Sequence, residues 1–592
     1  NAQQSSEAAT SLKTETRAPS GAGSEIPLKE KSTQEEGFAA SADSRADSCS
    51  TSDFGALESI SCPDDGMSGY SFADETSLAG DSSCADEAQE VENKLRPSRS
   101  SKKASVKRRQ SFTDMLGSVR SSATQMVIDN PRDIQDIYDV NTVSTKSIKV
   151  ISTDSTGTTM LGKVKATGAV RAVRAIPKDF MKKGKRTEVA KEIHIMRKLD
   201  HPNILLLREI YEDDKTVFLV FEHCPGGTLE SKLKNVGRLT EVQAAIVMSN
   251  VLRAVYYLHT KRICHRDLSP KHVMIASNQS DEAITANTLF KVSGFSCASR
   301  YKPGAALTQE KGTPAYMAPE VSSKSYTQSC DLWSCGVIMY QTLSGHLPFA
   351  SGGTPRTLSN PLPVALADAK HWSNISQGAR DLIGLLLEPD AVARYTAEQA
   401  LHHKWMGKAL PKLAHVPLHA ELVQNLRDFR SLNKFKRASL QVIASLLNQT
   451  ETGTPRKIFH LTDQNGDGFI NESELMKQIR NAPNLKVDIN MAKVFADNDS
   501  STGGTKDFGY TEFLAATFDR KQCLKEDTLW SAFKCFDKNG DGSISFSELA
   551  TGQFLGELSL EELGQILEDF DANKDSCINF EEFKAMMLEG NN

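Results

Sequence analysis

Five short segments in a fixed order constrain this 592-residue chain more than any other feature. They read Pro-Gly-Gly at 225–227, His-Arg-Asp-Leu at 265–268, Gly-Thr-Pro at 312–314, Met-Ala-Pro-Glu at 317–320 and Asp-Leu-Trp-Ser-Cys-Gly at 331–336. Around them, the hydrophobic pattern changes from short strand-like runs such as 218–222 to helical periodicity over 241–259 and 376–387. This part of the chain therefore predicts a mixed α+β domain whose strands come first and whose helices follow.

In this order, the five segments resemble the protein Ser/Thr kinase domain. The resemblance implies a two-lobed fold over 138–406, with Asp267 as the catalytic base. It also implies that Glu192 pairs with the phosphate-binding residue of the third strand, and it places Glu222 and Cys224 among the nucleotide-binding residues.

Several residues that phosphoryl transfer requires are replaced. Arg174 stands where the family has its phosphate-binding lysine, and a planar guanidinium does not reproduce a compact ammonium. Gly294 removes the metal-binding carboxylate, and His272 replaces an asparagine with an imidazole, which is a poor ligand for Mg²⁺. Because the loss of one preorganised charge typically costs about 10²–10³ in rate, these changes favour a pseudokinase.

The glycine-rich loop is assigned to Gly157 and Gly162, with a threonine where the second glycine would be. Val164, which follows, is expected to face the nucleotide. Lys163 or Lys165 would be alternative ligands of the phosphates, but strand alternation then turns Lys163 outward.

Twelve-residue loops rich in carboxylates begin after residue 456. Two of them match the EF-hand pattern at every ligand position. They have oxygen ligands at positions 1, 3 and 5 and a bidentate glutamate at position 12, and such a set of oxygens suits Ca²⁺. Their predicted ligands are Asp463, Asn465, Asp467, Phe469, Asn471 and Glu474 in the first loop, and Asp537, Asn539, Asp541, Ser543, Ser545 and Glu548 in the second. A third set is Asp571, Asn573, Asp575, Cys577, Asn579 and Glu582. In this last loop Ser576 takes the position of the turn glycine, at a cost of about 1–2 kcal/mol.

A weaker candidate begins at Asp497 and Asp499 but needs four extra residues to reach Glu512. It is interpreted as a structural EF-hand partner without metal. Because EF-hands work in pairs, we expect two lobes, at 451–520 and 521–592.

A kinase domain followed by a calmodulin-like helical module of four EF-hands resembles the calcium-dependent protein kinases of plants and protists. That resemblance implies Ca²⁺ as the bound ion and ATP with Mg²⁺ as the nucleotide, although the replaced residues argue against the latter.

The junction at 407–450 contains a basic amphipathic pattern over 421–447, which predicts one helix. Its apolar residues are Leu422, Leu426, Phe429, Leu432, Ile443 and Leu447, and its basic residues are Arg427, Arg430, Lys434, Lys436 and Arg437. Calcium-opened EF lobes bind such helices in an apolar groove. The family resemblance implies that this helix is autoinhibitory and docks on the kinase domain without calcium; the alternative is a surface helix between domains.

The first 125 residues are expected to be disordered, because residues 1–93 carry 19 acidic and 5 basic residues in a Ser-, Ala- and Gly-rich background. A basic stretch follows, and Ser111 in it resembles a site for a basophilic kinase. The same segment, 94–120, could instead be a targeting signal or a patch attracted to lipid.

No apolar run reaches the roughly 18 residues that a membrane span requires. Scattered single cysteines fit reduced thiols in a cytoplasmic protein, and no nucleic-acid partner is expected. Peripheral membrane contact would come from the basic segment or from residues upstream of Asn1.

Two functions remain open. The favoured hypothesis is a calcium-switched pseudokinase that binds or scaffolds other proteins. The alternative is a calcium-activated Ser/Thr kinase that uses Asp267 with Arg174 and a non-standard metal arrangement. Simple calcium buffering is disfavoured, because a buffer needs no kinase fold.

Overall fold

The structure, a computed structural model, describes residues 127–130, 132–140, 150–154, 157–181, 185–277, 284–349, 372–411, 420–447, 451–480, 494–495, 507–550 and 559–589. All of them belong to the compact unit Gly80–Asn592. The predicted disordered tail with Ser111, and the predicted ligands Asp497 and Asp499, lie outside these residues.

A seven-stranded sheet forms the first lobe of the kinase-like domain. Its strands are Ile128–Asp129, Tyr138–Asp139, Val150–Asp154, Gly157–Val164, Val170–Pro177, Leu207–Glu212 and Thr216–Glu222, and its helices are Ile134–Ile137, Lys178–Phe180 and Arg186–Met196. Strand Ile128–Asp129 adds in parallel to the edge strand Leu207–Glu212, whereas the other pairs are antiparallel. The sheet therefore begins upstream of the predicted domain start at 138.

The second lobe is mainly helical. Its α-helices are Leu229–Val236, Glu241–Thr260, Cys330–Ser344, Gln377–Leu386, Ala397–Leu401 and Lys404–Ala409, its 3-10 turns are Pro270–His272, Phe295–Cys297, Pro314–Tyr316 and Pro319–Ser323, and its short strands are Ile263–Cys264, Val273–Ile275, Phe290–Val292 and Ser299–Arg300. The predicted helices at 241–259 and 376–387 are confirmed. The longer one starts at a capping box, in which Thr240 and Gln243 exchange side-chain and backbone hydrogen bonds of 3.0 and 3.3 Å.

The C-terminal module consists of helices and two-stranded loop pairs. Its helices are Gly453–Thr462, Glu472–Arg480, Tyr510–Thr517, Arg520–Cys523, Glu526–Phe536, Phe546–Ala550, Leu560–Phe570 and Phe580–Leu588, and its strands are Phe469–Ile470, Phe508–Gly509, Ser543–Ser545 and Cys577–Asn579. None of the helices in the described ranges combines the length and apolarity that crossing a bilayer requires.

The junction forms two helices, Ala420–Ser431 and Lys434–Leu446, so the prediction of one continuous helix is wrong. The break occurs because Asn433 leaves the helical conformation and its side chain accepts a 2.8 Å hydrogen bond from the Lys436 amide, which caps the second helix. The predicted apolar face is confirmed, since its residues lie in or against the core of the EF-hand module. Two of the basic residues expected around it, Arg430 and Lys436, are instead buried.

Candidate functional site

The predicted pair at the phosphate-binding position is present. Strand Val170–Pro177 places Arg174 opposite Leu219, on the face that looks toward helix Arg186–Met196. Arg174 Nη1 lies 3.2 Å from Glu192 Oε1. Glu192 thus has the ion-pair partner that the resemblance implies, and the partner is a guanidinium rather than an ammonium.

The assignment of the glycine-rich loop requires correction. Asp154 and Gly157 are paired between neighbouring strands, and Gly157–Val164 is one unbroken strand. Gly162 is in the middle of that strand, where an added Cβ would lie only 2.9 Å from Val173 Cγ2. Close packing accounts for this glycine, and Gly157 is the first residue of the strand.

The expected orientation of Val164 is also wrong. Val164 packs into the cluster on the face of the sheet opposite to Arg174, which puts Lys163 on the same face as Arg174. Thr159 is the residue paired with Arg174, and Lys163 lies four positions further, about 13 Å along the strand. Lys165 Nζ donates to a backbone carbonyl at 2.5 Å. Neither lysine therefore takes the place of the missing phosphate ligand.

The predicted base, Asp267, lies in a loop whose backbone is held by Asp331. Asp331 is fully buried and accepts hydrogen bonds of 2.8 and 2.9 Å from the amides of the two residues that precede Asp267. Asp267 Oδ1 accepts a 2.6 Å hydrogen bond from the Thr313 hydroxyl, and its Oδ2 lies 3.9 Å from Lys271 Nζ. The scaffold of the catalytic loop is therefore intact.

The metal position is filled by a side chain. Gly294 has φ 81°, and an added Cβ would lie 2.5 Å from Cδ2 of the His272 ring. His272 Nδ1 lies 2.7 Å from the Asp267 carbonyl oxygen, so Nδ1 carries the proton of this hydrogen bond. Burial, with a smaller contribution from neighbouring His265, lowers the pKa of His272 to about 4, so the ring is neutral at physiological pH. An uncharged imidazole and a glycine do not fit the oxygen ligands that Mg²⁺ requires.

The side chains of Glu222 and Cys224, which the resemblance places among the nucleotide-binding residues, are both buried. Glu222 Oε1 lies 2.7 Å from Lys291 Nζ in a buried ion pair, and it accepts a 2.9 Å hydrogen bond from the Leu206 amide. Burial raises the pKa of the Cys224 thiol to about 12. Both side chains therefore serve the interior of the domain.

The first EF-hand loop brings its predicted oxygens together. Asp463 Oδ1 accepts a 2.7 Å hydrogen bond from the Gly466 amide, and Glu474 Oε2 accepts one of 3.2 Å from the Asn471 amide. Burial, together with the carboxylates of Asp467 and Glu474, raises the pKa of Asp463 to about 7. Crowded carboxylates of this kind fit a divalent cation with oxygen ligands, so the residues present fit Ca²⁺.

The loops that begin at Asp537 and Asp571 repeat this geometry. Asp537 Oδ1 accepts a 2.6 Å hydrogen bond from the Gly540 amide, and Asp571 Oδ2 accepts one of 2.7 Å from the Ser576 amide. Ser576 has φ 65°, so the left-handed backbone expected at this non-glycine residue is present.

Strand register identifies equivalent positions in the paired loops. Ile544 lies opposite Ile578, and both are the eighth residue of their loops. In the first EF-hand lobe, Ile470 is the eighth residue of the loop that begins at Asp463, and it lies opposite Phe508. Phe508 is therefore position 8 of the second hand, which makes Glu512 its position 12.

Comparison with known proteins agrees with this architecture. Residues 146–406 match the protein kinase domain, and residues 456–553 and 526–588 match the EF-hand domain pair. Calcium-dependent protein kinase 5 of Plasmodium falciparum is 33% identical over 404 residues, which cover 67% of this chain and 70% of that protein. Calcium-dependent protein kinase 7 of Arabidopsis thaliana is 34% identical over 424 residues, covering 70% and 77%. The chain belongs to the calcium-dependent protein kinase family. The predicted resemblance is confirmed, and so is Ca²⁺ as the ion of the module.

In this member of the calcium-dependent protein kinase family, two arginines of the kinase side approach the first ligands of EF-hand loops. Arg253 Nη1, on helix Glu241–Thr260, donates to the Asp463 carbonyl at 2.8 Å and lies 3.6 Å from its Oδ2. Arg132 Nη2 lies 3.8 Å from Asp537 Oδ2. Sequence reasoning missed both, because each contact joins residues more than 200 positions apart and no local pattern marks it.

Further polar contacts join the junction and the EF-hand module to the lobe of the kinase domain that contains the seven-stranded sheet. Asp200 accepts hydrogen bonds of 2.9 and 2.6 Å from the amide and hydroxyl of Thr511, and burial raises the pKa of this carboxyl to about 6. Arg171 Nη2 donates to the Leu446 carbonyl at 2.8 Å, and Arg208 donates to that of Ser445. The C-terminal end of the junction is therefore held by two arginines of the sheet.

Arg253→Met is expected to strengthen calcium binding at the first loop. The guanidinium lies 3.6 Å from a ligand carboxylate, so it opposes the charge of an incoming Ca²⁺. Its removal is expected to favour binding by roughly 1–2 kcal/mol, or about five- to thirtyfold, measured by calorimetric titration of the full chain. Arg253→Lys keeps the charge and is expected to stay near the wild-type affinity. Unchanged or weaker binding in Arg253→Met would contradict this expectation.

Proposed function

We propose that this chain is a calcium-switched pseudokinase, which presents a kinase fold as a binding or scaffolding surface. The observation that carries the proposal is the His272 ring, whose Cδ2 would lie 2.5 Å from any Cβ at position 294. The place where a metal-binding carboxylate would begin is thus taken by an uncharged side chain.

The preserved parts of the domain support a binding role. Asp331 still holds the backbone of the catalytic loop, and Arg174 still pairs with Glu192. These contacts maintain the shape of the two lobes. With the lysine and the metal ligands replaced, two fully expressed losses of about 10²–10³ each would reduce turnover by roughly 10⁴–10⁶.

The EF-hand module supports the calcium switch. Two loops that fit Ca²⁺ lie against the kinase side, with Arg253 beside Asp463 and Arg132 beside Asp537. Filling these loops changes the charge that the arginines face, and the free energy of that change acts on the contact between the module and the kinase domain. A partner surface is then exposed or covered according to the calcium level.

A calcium-activated Ser/Thr kinase remains the second candidate. The relatives are named as kinases, and Asp267 is positioned by Thr313 at 2.6 Å. In that case the metal would be held by groups other than those of the family pattern.

Phosphotransfer by the full chain distinguishes the two candidates. The wild type and Asp267→Ala are compared for Mg-ATP binding and for phosphorylation of a basophilic peptide, with calcium and with EGTA. We expect no difference in turnover between the two proteins, together with a calcium-dependent change in hydrogen exchange at the module–kinase contact. Calcium-stimulated turnover that disappears in Asp267→Ala would instead establish the kinase.

A further inference from the structure

A buried arginine of the junction occupies the second EF-hand. The Arg430 side chain, 4% exposed, projects from helix Ala420–Ser431. Its Nε lies 3.1 Å from Glu512 Oε1, and its Nη2 lies 3.4 Å from Glu512 Oε2. The same Nη2 donates to the Asp507 carbonyl at 3.1 Å. The guanidinium carbon also lies 4.2 Å from the centre of the Phe508 ring, which fixes its plane.

The two groups that accept from Arg430 are calcium-ligand positions. Because Phe508 is position 8 of the second hand, the Asp507 carbonyl is at position 7 and the Glu512 carboxylate at position 12. In an EF-hand these positions supply the backbone oxygen and the bidentate carboxylate that bind Ca²⁺. Arg430 binds both through Nη2, and its Nε lies beside the same carboxylate as an ion-pair partner.

We propose that Arg430 is the resident cation of the second EF-hand. Its guanidinium takes the place of Ca²⁺ at the position-7 carbonyl and the position-12 carboxylate. The second hand thus binds the junction through this arginine. Helix Ala420–Ser431 therefore stays attached to the first EF-hand lobe at any calcium level.

The other arginines near EF-hand loops differ from Arg430. Arg253 and Arg132 approach only the position-1 aspartates, from the kinase side, and they are more exposed, at 18% and 22%. In both of those loops the position-12 glutamate accepts hydrogen bonds from its own loop amides. Among the residues that the structure describes, only the second hand has an ion pair between an arginine and the position-12 carboxylate.

The inference extends the calcium-sensing role and does not depend on whether the kinase domain transfers phosphate. It divides the module into one hand that is occupied by the protein itself and three that respond to calcium. The first EF-hand lobe then binds the junction permanently, through the second hand.

The test uses the full chain in five variants: Arg430→Met, Glu512→Gln, the double variant, and the two controls Arg427→Met and Glu474→Gln. Arg427 is the matched control, because it lies on the same helix with a side chain 49% exposed. Bound calcium is counted by native mass spectrometry and calorimetry, and hydrogen exchange of the amides at 420–431 is followed in EGTA and in calcium. Glu474→Gln serves as the control for a true position-12 ligand.

In the wild type we expect at most three bound calcium ions, and the same number in Glu512→Gln, whereas Glu474→Gln loses one. In EGTA, exchange at 420–431 is expected to accelerate roughly ten- to a hundredfold in Arg430→Met and in Glu512→Gln, with no further gain in the double variant. Arg427→Met should exchange like the wild type. Loss of a bound ion in Glu512→Gln, or wild-type exchange in Arg430→Met, would overturn the proposal.

Discussion

Gly294→Asp alone is expected to destabilise the kinase domain, whereas the same change combined with His272→Asn is expected to be tolerated. The new Cβ would lie 2.5 Å from Cδ2 and 2.8 Å from Cγ of the His272 ring, in a residue with φ 81°. We expect a loss of about 1–2 kcal/mol from the left-handed backbone and about 1–3 kcal/mol from overpacking, measured as a shift in the thermal unfolding of the kinase domain. The smaller asparagine side chain removes the second contribution.

Gly304→Asp is the matched control for the backbone contribution. Gly304 has φ 76°, close to that of Gly294, but an added Cβ would meet no atom within 4 Å. Its substitution is expected to show the backbone cost alone. A double-mutant cycle should then give a coupling of about 1–3 kcal/mol between positions 272 and 294. Equal destabilisation by Gly294→Asp and Gly304→Asp would show that the imidazole does not fill the metal position.

The two replacements in the metal site are therefore one packing unit. Considered separately, Gly294 lacks the carboxylate of the family's aspartate, and His272 lacks the side-chain amide of the family's asparagine. In the structure the ring of the second residue occupies the space vacated by the first. Restoring the carboxylate at position 294 alone would place it against the His272 ring, so the change at 272 has to precede or accompany it.

The EF-hands could be predicted well because their chemistry is local. All ligands of a loop lie within twelve residues, so spacing alone assigns them, and the 8–8 pairing of Ile544 with Ile578 follows. The same holds for the ordered kinase segments, which predicted Asp267 and the Arg174–Glu192 pair. In each case a short sequence pattern contains most of the structural information.

The glycine loop and the junction could not be predicted as well, because two local structures fit the same residues. Gly157 and Gly162 have a spacing that suits a phosphate loop, yet Gly162 lies within a strand. A glycine is needed there because neighbouring side chains occupy the space that a Cβ would take. The junction pattern runs through 421–447 without losing its apolar face. Only the side-chain cap at Asn433 breaks it into two helices.

The arginine contacts were outside the reach of sequence reasoning. The sequence places Arg430 only among the basic residues around the apolar face of the junction, and such residues are usually exposed. Its partner Glu512 is 82 positions away, and Arg253 is 210 positions from Asp463. Such pairs depend on how the module docks, which no local propensity encodes.

Phe435→Ala is expected to detach the second junction helix from the second EF lobe. Phe435 is fully buried, and its ring centre lies 5.2 Å from that of Phe536, 6.1 Å from Phe583 and 6.3 Å from Phe570. Truncation of a buried phenylalanine costs about 3–5 kcal/mol. Hydrogen exchange along helix Lys434–Leu446 should therefore accelerate by two orders of magnitude or more, since every roughly 1.4 kcal/mol changes the opening equilibrium tenfold.

Phe546→Ala provides the control for this prediction. Phe546 belongs to the same lobe but is 37% exposed, so its truncation is expected to change exchange along Lys434–Leu446 by less than about fivefold. Phe435 belongs to the junction, whereas the three rings around it belong to the EF-hand lobe. The lost free energy therefore falls on the contact between junction and lobe. If the two variants exchange alike, this aromatic cluster does not hold the second junction helix. Arg171 and Arg208, which bind its last carbonyls, would then be the principal attachment.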